Sequence, residues 1–379
     1  MGEQTDVTIS IVTYNSHPVI RECISSVLEQ AQGPEIEIIV VDNASSDGTA
    51  ALVKSSFPGI RLIENSTNLG FGTAHNQAFR ISRGRHFLIL NPDTLVYPGT
   101  VSELVRFMDS TGDAGVVGCK IFWDEEKRFM FPDLRIHTLG TAILHFTQFC
   151  RFFPGSRLAK RYWETAYRIW DAETPVAVDG ISGGLMMVRR EVFASAGCFD
   201  EEFFLFFEEH DLLRRIRKSG WGVYYLPGAA IRHFYEESFR NSTVDTGAVY
   251  LKSALTYYRK YYGVAGVLFV HTLRLADRFI RHLEQVVLKK QERYAVVVPS
   301  EGRLTFSWPS HKNAVRYLAE ISYSPLFHDR GGMYVEGETL SLSSRILDHL
   351  PGKTGYIRIL PVTRDHAAGP PWKIVRIAA

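Results

Sequence analysis

Four times in its first hundred residues the chain repeats one pattern: a strand-length apolar run, a polar turn, then a helical stretch. VTISIVTY, residues 7–14, ends at Asn15, Ser16 and Pro18, and Val19–Gln30 reads as a helix. IEIIVV, residues 36–41, stops at Asp42, and Asp47 is placed to cap the next helix. Ile60–Ile63 precedes the glycine-bearing turn and helix of ENSTNLGFGTAHNQAF, and Phe87–Leu90 forms the fourth run. Strands and helices alternating over such short connections predict a mostly parallel sheet with helices on both faces. Ligands of such sheets bind outside the carboxyl ends of the strands. Thr13 and Asn15, Asp42, and Asn91 with Asp93 all fall at that edge.

The fourth strand runs directly into the turn of HFLILNPDT, residues 86–94. A carboxylate beside an amide, separated by rigid Pro92, suits a divalent cation that grips a diphosphate. Hard oxygen ligands select Mg²⁺ or Mn²⁺, which complete their shells with phosphate oxygens and water. Taken alone, the same residues also read as a strand closed by a proline turn. No GxGxxG follows the first strand, which disfavours a dinucleotide fold, and the absence of GxxxxGK[ST] excludes a P-loop NTPase.

With 379 residues, 45% hydrophobic and 22% charged, the chain has material for two or three globular domains. A net charge of +2 gives no overall nucleic-acid footprint. Cys23, Cys119, Cys150 and Cys198 are widely spaced without a CxxC pair, so reduced thiols of a cytoplasmic protein are expected rather than disulfides or a zinc site. The start, MGEQTDVTISIVTYN, has neither the basic leader nor the apolar core of a signal peptide. Asp6 stands where a myristoylation site needs Ser or Thr. No apolar run reaches the roughly 18–20 residues of a membrane span.

The segments TISIVTYN, IIVVDNASSDGT, NLGFGTAHNQAF and LILNPDT, in this order and spacing, resemble the nucleotide-binding half of family 2 glycosyltransferases with the GT-A fold. The NPD turn is most similar to the metal motif of bacterial rhamnosyltransferase-like members. The resemblance implies a nucleoside diphosphate sugar as donor. Thr13 and Asn15 would line the nucleotide pocket, Asp42 would hold the base or ribose with Ser45 nearby, and Asn68, Gly70 and Asn76 would border the base and diphosphate. Asp93 would bind the metal, while Asn91 replaces the first acid of the usual DxD-type motif and leaves the site one charge short.

Residues 176–221 carry the second signature. Val176–Val178 and Leu185–Val188 read as strands around a Gly-rich turn, and Phe207–Gly220 as a helix with Glu208, Glu209 and Asp211 in its first turn. Acids there complement the helix dipole without any function. A sugar hydroxyl that attacks an anomeric carbon must also lose a proton, and a carboxylate is the usual base. GCFDEEFFLFFEEHDLLRRI resembles the GGFDExFFxYxEDxDL motif of the family. Glu209 stands in the place of its catalytic Asp, one methylene longer, with Asp211 as the second candidate. Ser182, Gly183, Gly184 and Glu208 would lie against the acceptor or the donor sugar. WGVYYLPGAAIRHF reads as two short strands, the second ending at His233, which by resemblance supplies a further metal or diphosphate contact. A lone histidine is otherwise structural.

The middle segment contains RFFPGSRLAKRYWETAYRIW, residues 151–170, an insertion with interleaved basic and aromatic residues that is expected to shape the acceptor site. Residues 246–292 form a long basic helical stretch. Its Tyr257, Tyr258, Tyr261 and Tyr262 suit a membrane interface, a packing face on the catalytic domain, or a dimer contact. From about 293, period-two strands between Gly/Pro turns predict a small all-β sandwich. It resembles a fibronectin type III domain, with Trp308 and Tyr317 in the core, Tyr356 buried before a strand, and an AAGPPW ending.

The expected organisation is therefore a GT-A domain over 1–242, a basic amphipathic helical segment over 243–292 and a β-sandwich over 293–379. The expected function is an inverting, metal-dependent transfer of a sugar, L-rhamnose from dTDP-rhamnose first among candidates, to a glycan or lipid-linked glycan. No nucleic-acid partner is expected. Peripheral contact with the cytoplasmic face of the inner membrane and homo-oligomerisation are both compatible with the helical segment. Two rivals remain at this point: a nucleotidyltransferase, and a glycan-binding protein with a decayed transferase domain.

Overall fold

The structure, a computed structural model, describes residues 5–30, 33–131, 136–147, 156–158, 161, 169–234, 245–288, 295–322, 331–363 and 374–378. They belong to two compact units, residues 1–121, 133–136 and 172–267, and residues 122–132, 137–171 and 268–379.

The first unit opens with β1 Val7–Thr13, α1 His17–Leu28, β2 Ile36–Asp42, α2 Thr49–Ser56, β3 Arg61–Glu64, α3 Phe71–Ile81 and β4 His86–Leu90. The continuous Val, Ile and Leu runs of β1 and β4 are buried along their whole length, as parallel strands covered on both faces must be. The strands lie side by side in the order β3-β2-β1-β4, all parallel. Register sets Thr13 opposite Asp42 and Ile11 opposite Leu90, so the polar ends reach one edge together.

The chain continues through β5 Thr94–Val96, α4 Thr100–Ser110, β6 Ala114–Phe122, α5 Leu139–Phe146 (in the second unit), β7 Val176–Ala177, β8 Leu185–Arg189, α6 Arg190–Ser195, α7 Glu208–Lys218, β9 Gly222–His233 and α8 Thr246–Leu288. β8 pairs antiparallel with β4, and the sheet extends through β6 and β9 to β5, with β7 on β9.

Two local expectations are corrected, and among the alternatives kept for the α8 tyrosines the structure shows packing. WGVYYLPGAAIRHF forms one strand, β9, rather than two, because β7 pairs with Tyr224 and Tyr225 and β5 with Ile231–His233, which leaves Pro227 between the two ladders. The residue before α2 is Gly48, at φ 88°, rather than Asp47. The Asp47 carboxylate instead accepts from the backbone N–H groups of both Thr49 and His17 and ties the starts of α2 and α1 together. The α8 tyrosines do not form an outward face. Tyr257 and Tyr258 are fully buried, and Arg214 of α7 donates to the hydroxyls of Tyr257 and Tyr262. α8 itself is kinked at Gly263, whose φ of 62° and ψ of −155° only glycine adopts readily.

In the second unit β10 Ala295–Val297, β11 Arg303–Ser307, β12 Arg316–Ser322, β13 Gly331–Val335, β14 Thr339–Ser343, β15 Thr354–Val362 and β16 Ile374–Ala378 form two sheets, one in the order β10-β16-β15-β12-β13 and one of β11 with β14. Period two is visible in β11, where Leu304 and Phe306 face inward between exposed neighbours. The buried rings of Trp308 and Tyr317 meet edge to face at 5.4 Å. Tyr356 differs from expectation: it is half-buried and lies inside β15. The middle segment joins this unit through backbone bonds between Met130 and Gly332, an edge contact of Trp170 with Tyr334, and a two-pronged ion pair of Arg316 with Asp171. Parts of the basic–aromatic insertion (151–155, 159–160 and 162–168), the AAGPPW ending, Cys150, Lys289 and Lys290 lie outside the described residues.

Glu320 and Arg358 sit opposite each other on β12 and β15, 2.5 Å apart, with Glu320 fully buried. Removing only this cation takes a charge-paired hydrogen bond from a buried carboxylate, which costs about 3 kcal/mol or more. Arg358→Met is expected to lower stability by about that amount, and the double variant Glu320→Met/Arg358→Met by clearly less. Urea unfolding of the three proteins checks the order.

Candidate active site

Three clusters gather at the carboxyl edge of the parallel strands. The first joins the ends of β1 and β2. Thr13 and Ser45 both donate hydroxyls to Asp42 Oδ1, at 2.8 and 2.5 Å, while the Ser45 N–H donates to Oδ2. Asn15, at φ 53°, donates its N–H to Ser45 Oγ and accepts from the Ser46 N–H. The Asp42 carboxylate is thereby fixed in one orientation, as a group that reads a base or ribose must be. Neighbouring Asn43, overlooked in the sequence, donates to the Gly70 carbonyl at 3.1 Å and links this cluster to the next.

The second cluster is the turn before α3. Asn68 Oδ1 accepts from the Gly70 N–H. Gly70 has φ 88°, and a Cβ there would lie 2.4 Å from the Phe204 carbonyl oxygen. The close approach that demands glycine is thus to the loop preceding α7. Asn76 is also committed within the chain: it donates to the Phe199 carbonyl and to Glu201 and accepts from the Phe199 N–H. These bonds take Asn76 out of the expected ligand set and make it a staple of the same loop.

The third cluster surrounds Asp93. The β5–β9 pairing places Thr94 beside His233, and the Phe234 N–H donates to the Asp93 carbonyl. His233 Nε2 lies 3.0 Å from Asp93 Oδ1 and 3.3 Å from Asn91 Nδ2. One neutral ring nitrogen either donates or accepts, so Nε2 serves Asp93 or Asn91 but not both. Asn91 Oδ1 is buried without a hydrogen-bond partner among the described residues. Gly184 completes the cluster: its carbonyl accepts from the Asn91 N–H, and its Cα hydrogens face the His233 ring where a Cβ would stand 3.5 Å from Nδ1. Ser182 Oγ accepts from the Gly184 N–H and shapes the turn that includes Gly183. A carboxylate, an imidazole and an orphaned amide oxygen fit a Mg²⁺ or Mn²⁺ ion that takes its remaining ligands from phosphate and water.

α7 supplies the acids. It is preceded by Phe206 and Phe207, at φ 68° and 69°, two successive bulky residues in a region they rarely occupy. Burial of the Phe207 ring against Tyr250, Tyr257 and His210 holds that strained turn in place. The three acids have different surroundings. Asp211 is 0% exposed and accepts from Tyr261 at 2.6 Å and from Arg215 at 2.8 Å, with Lys260 2.7 Å away. Both oxygens of this fully buried carboxylate are occupied by two cations and a phenol and none is open to a substrate, so Asp211 is the anchor of α7 on α8 rather than a candidate base. Glu208 is 4% exposed, with its Cβ side near Gly72 of α3, so it underlies the site rather than lining an open pocket. The Glu209 side chain is 16% exposed and is the most accessible of the three. The Oε2 atoms of Glu208 and Glu209 are both without a hydrogen-bond partner among the described residues.

Burial raises both of these glutamates. Glu209 is pushed up to about 7, and Glu208, further opposed by the neighbouring Glu209 charge, lies well above the ordinary carboxylate range. A base poised near neutrality is what proton abstraction at pH 7 requires. Lys260, Tyr261 and the Phe206–Phe207 turn were not found from the sequence. The α8 residues lie some fifty positions from the acids they hold, and backbone strain leaves no compositional mark.

A parallel nucleotide-binding half joined to an antiparallel half, with these strand-end clusters, defines a GT-A-like glycosyltransferase fold. Residues 8–195 match the model of glycosyl transferase family 2. Residues 8–195 are a domain of that family, and the chain is a glycosyltransferase. The match ends before α7 and His233. The N-acetylglucosaminyl-diphospho-decaprenol L-rhamnosyltransferase of Mycobacterium tuberculosis is 29% identical over 265 residues, spanning 66% of this chain and 83% of that protein. The rhamnosyltransferase WbbL of Escherichia coli is 24% identical over 261 residues, 66% of this chain and 92% of that protein. Among solved structures, a mannosyltransferase from Pyrobaculum calidifontis in complex with GDP-Man and Mn²⁺ aligns with TM-score 0.46 and 16% identity over 77% of this chain and 82% of that one.

Folding buries two acids whose unfolded forms ionise near 4.5. The folded state holds their protons to higher pH, so stability is full below about 4.5 and falls as pH rises through about 7. Urea midpoints measured at pH 5 and pH 8 are expected to show this fall, and Glu208→Gln is expected to flatten it.

Proposed function

We propose that this chain is an inverting, metal-dependent transferase that moves L-rhamnose from dTDP-rhamnose to a hydroxyl of a glycan or lipid-linked glycan. The observation that carries the reading is the cluster of Asn91, Asp93, His233 and Gly184 at the end of β4, beside the nucleotide-binding edge. The choice of sugar is supported by the rhamnosyltransferase names of two relatives, and a lipid-linked acceptor by the name of the mycobacterial one.

In this reading Asp42, oriented by Thr13 and Ser45, holds the base or ribose, and Asn68 and Gly70 shape the turn that borders it. Asp93, His233 and the Asn91 amide oxygen hold a Mg²⁺ or Mn²⁺ ion, which when bound offsets the negative charge that builds on the diphosphate as it leaves. Glu209 takes the proton of the acceptor hydroxyl. The freed oxygen forms a bond to the anomeric carbon from the face opposite the diphosphate. The carbon–oxygen bond to the diphosphate breaks, the electron pair leaves on the nucleoside diphosphate, and configuration inverts in one displacement. Glu208, held neutral, leaves Glu209 as the single charged carboxylate of the pair. Ser182–Gly184 border the sugar.

The transferase domain is proposed to span 1–242, followed by the helical segment 243–292 and a fibronectin type III-like sandwich over 293–379 that binds or spaces. Two separate sheets and the Trp308–Tyr317 core support that last assignment.

Nucleoside diphosphate release, measured over a panel of nucleotide sugars with Mn²⁺ or Mg²⁺ and glycan acceptors, tests the reaction. Release from dTDP-rhamnose is expected to exceed that from other donors. Asp93→Asn and Glu209→Gln are each expected to lower turnover at least about a hundredfold. A Glu209→Gln enzyme that keeps native turnover would remove Glu209 as base.

A further inference from the structure

Beyond its kink, α8 carries a stripe of exposed apolar side chains along one face of the helix. Val264, Leu268, Leu275 and Phe279 are 71%, 61%, 64% and 64% exposed. At 3.6 residues per turn these four side chains fall within an arc of about 60° along about 22 Å of helix. Gly266, Val270 and Asp277, on the opposite side, are buried. Exposed large apolar side chains scattered singly are ordinary, but four aligned on one helix face mark a contact surface.

Charge identifies what that surface meets. By the same helical spacing His271, Arg274 and Arg278 run along one border of the stripe, and Arg259 lies exposed just before the kink. Among the described residues Arg259, Arg274 and Arg278 have no carboxylate partner. The only acid between Lys252 and Phe279 is the buried Asp277, so the exposed side chains of that stretch are all cationic or neutral. A second copy docked along this stripe would bring arginines against arginines with no exposed carboxylate to relieve them. An anionic bilayer offers apolar depth to the stripe and phosphate oxygens to its border at the same time. No helix among the described residues is long and apolar enough to cross a membrane. We therefore propose that the Val264–Phe279 face of α8 seats the protein on the surface of a membrane rich in anionic phospholipid. The contact uses the stripe rather than the four tyrosines, which are spent on packing and hydrogen bonds with α7.

This inference does not depend on the donor sugar or on the base, and its test contains no nucleotide. The full chain is mixed with vesicles of phosphatidylcholine alone or doped with phosphatidylglycerol, and flotation is measured at low and high salt. The native protein is expected to float with the doped vesicles and to stay behind with phosphatidylcholine. Leu275→Asp/Phe279→Asp is expected to reduce the bound fraction at least about tenfold while keeping the native thermal midpoint. Arg274→Gln/Arg278→Gln is expected to weaken binding and shrink its salt dependence. Failure of the native protein to float with anionic vesicles overturns the proposal, as does native-like flotation of the double Asp variant. Light scattering that shows a native dimer converted to monomer by that variant would reassign the face to self-association.

Discussion

The contact of His233 with Asp93 is where the two halves of the first unit's sheet meet chemically. Asp93 follows β4, the last parallel strand, and His233 ends β9 in the antiparallel half. Neither residue alone offers a cation more than one ligand. Their meeting requires β4 to end level with β1 and β2, β8 to pair back along β4, and β5 to fold onto β9 in the register that sets Thr94 beside His233. The Gly184 carbonyl ties the start of β8 to the end of β4 by accepting from the Asn91 N–H.

A second constraint governs α7. Burying acids costs free energy unless each is paired or protonated. Asp211 is paired, with Arg215, Lys260 and Tyr261 meeting its oxygens. Glu208 and Glu209 instead meet burial with raised pKa values. The same helix turn therefore contains one paired acid and two protonatable ones, and Asp211 is set apart by what α8 places next to it. Strain at Phe206 and Phe207 fits this division, because the cost is met by packing in the aromatic layer below and the benefit is the aim of the helix start.

Much of this was legible in the sequence. Continuous apolar runs closed by Thr13, Asp42 and Asn91 announced the parallel strands and the edge at which they end, since burial on both faces leaves little choice of residue. His233 was singled out by resemblance, and the structure sets it 3.0 Å from Asp93. What stayed hidden depended on partners distant in the chain. Asn76 looked like a ligand and proved to be a staple for a loop more than a hundred residues away. Asp211 looked like a base until Lys260 and Tyr261 were in place. Gly70 is glycine because of the Phe204 carbonyl, which no local pattern reveals. The helix tyrosines allowed an interfacial, a packing or a dimer role by composition, and only the structure shows Tyr257 and Tyr258 packed inward while Val264, Leu268, Leu275 and Phe279 are exposed.

The central claim is that Asp93, His233 and the Asn91 amide oxygen form an incomplete cation site that the donor's phosphates finish, since Asn91 contributes no charge. Mn²⁺ binding followed by electron paramagnetic resonance, with and without a nucleoside diphosphate, tests this most directly. The account predicts weak binding to the protein alone, at least about tenfold tighter binding when the diphosphate is present, and loss of that gain in His233→Ala. Equally tight Mn²⁺ binding without the nucleotide, or an undiminished gain in His233→Ala, would contradict it.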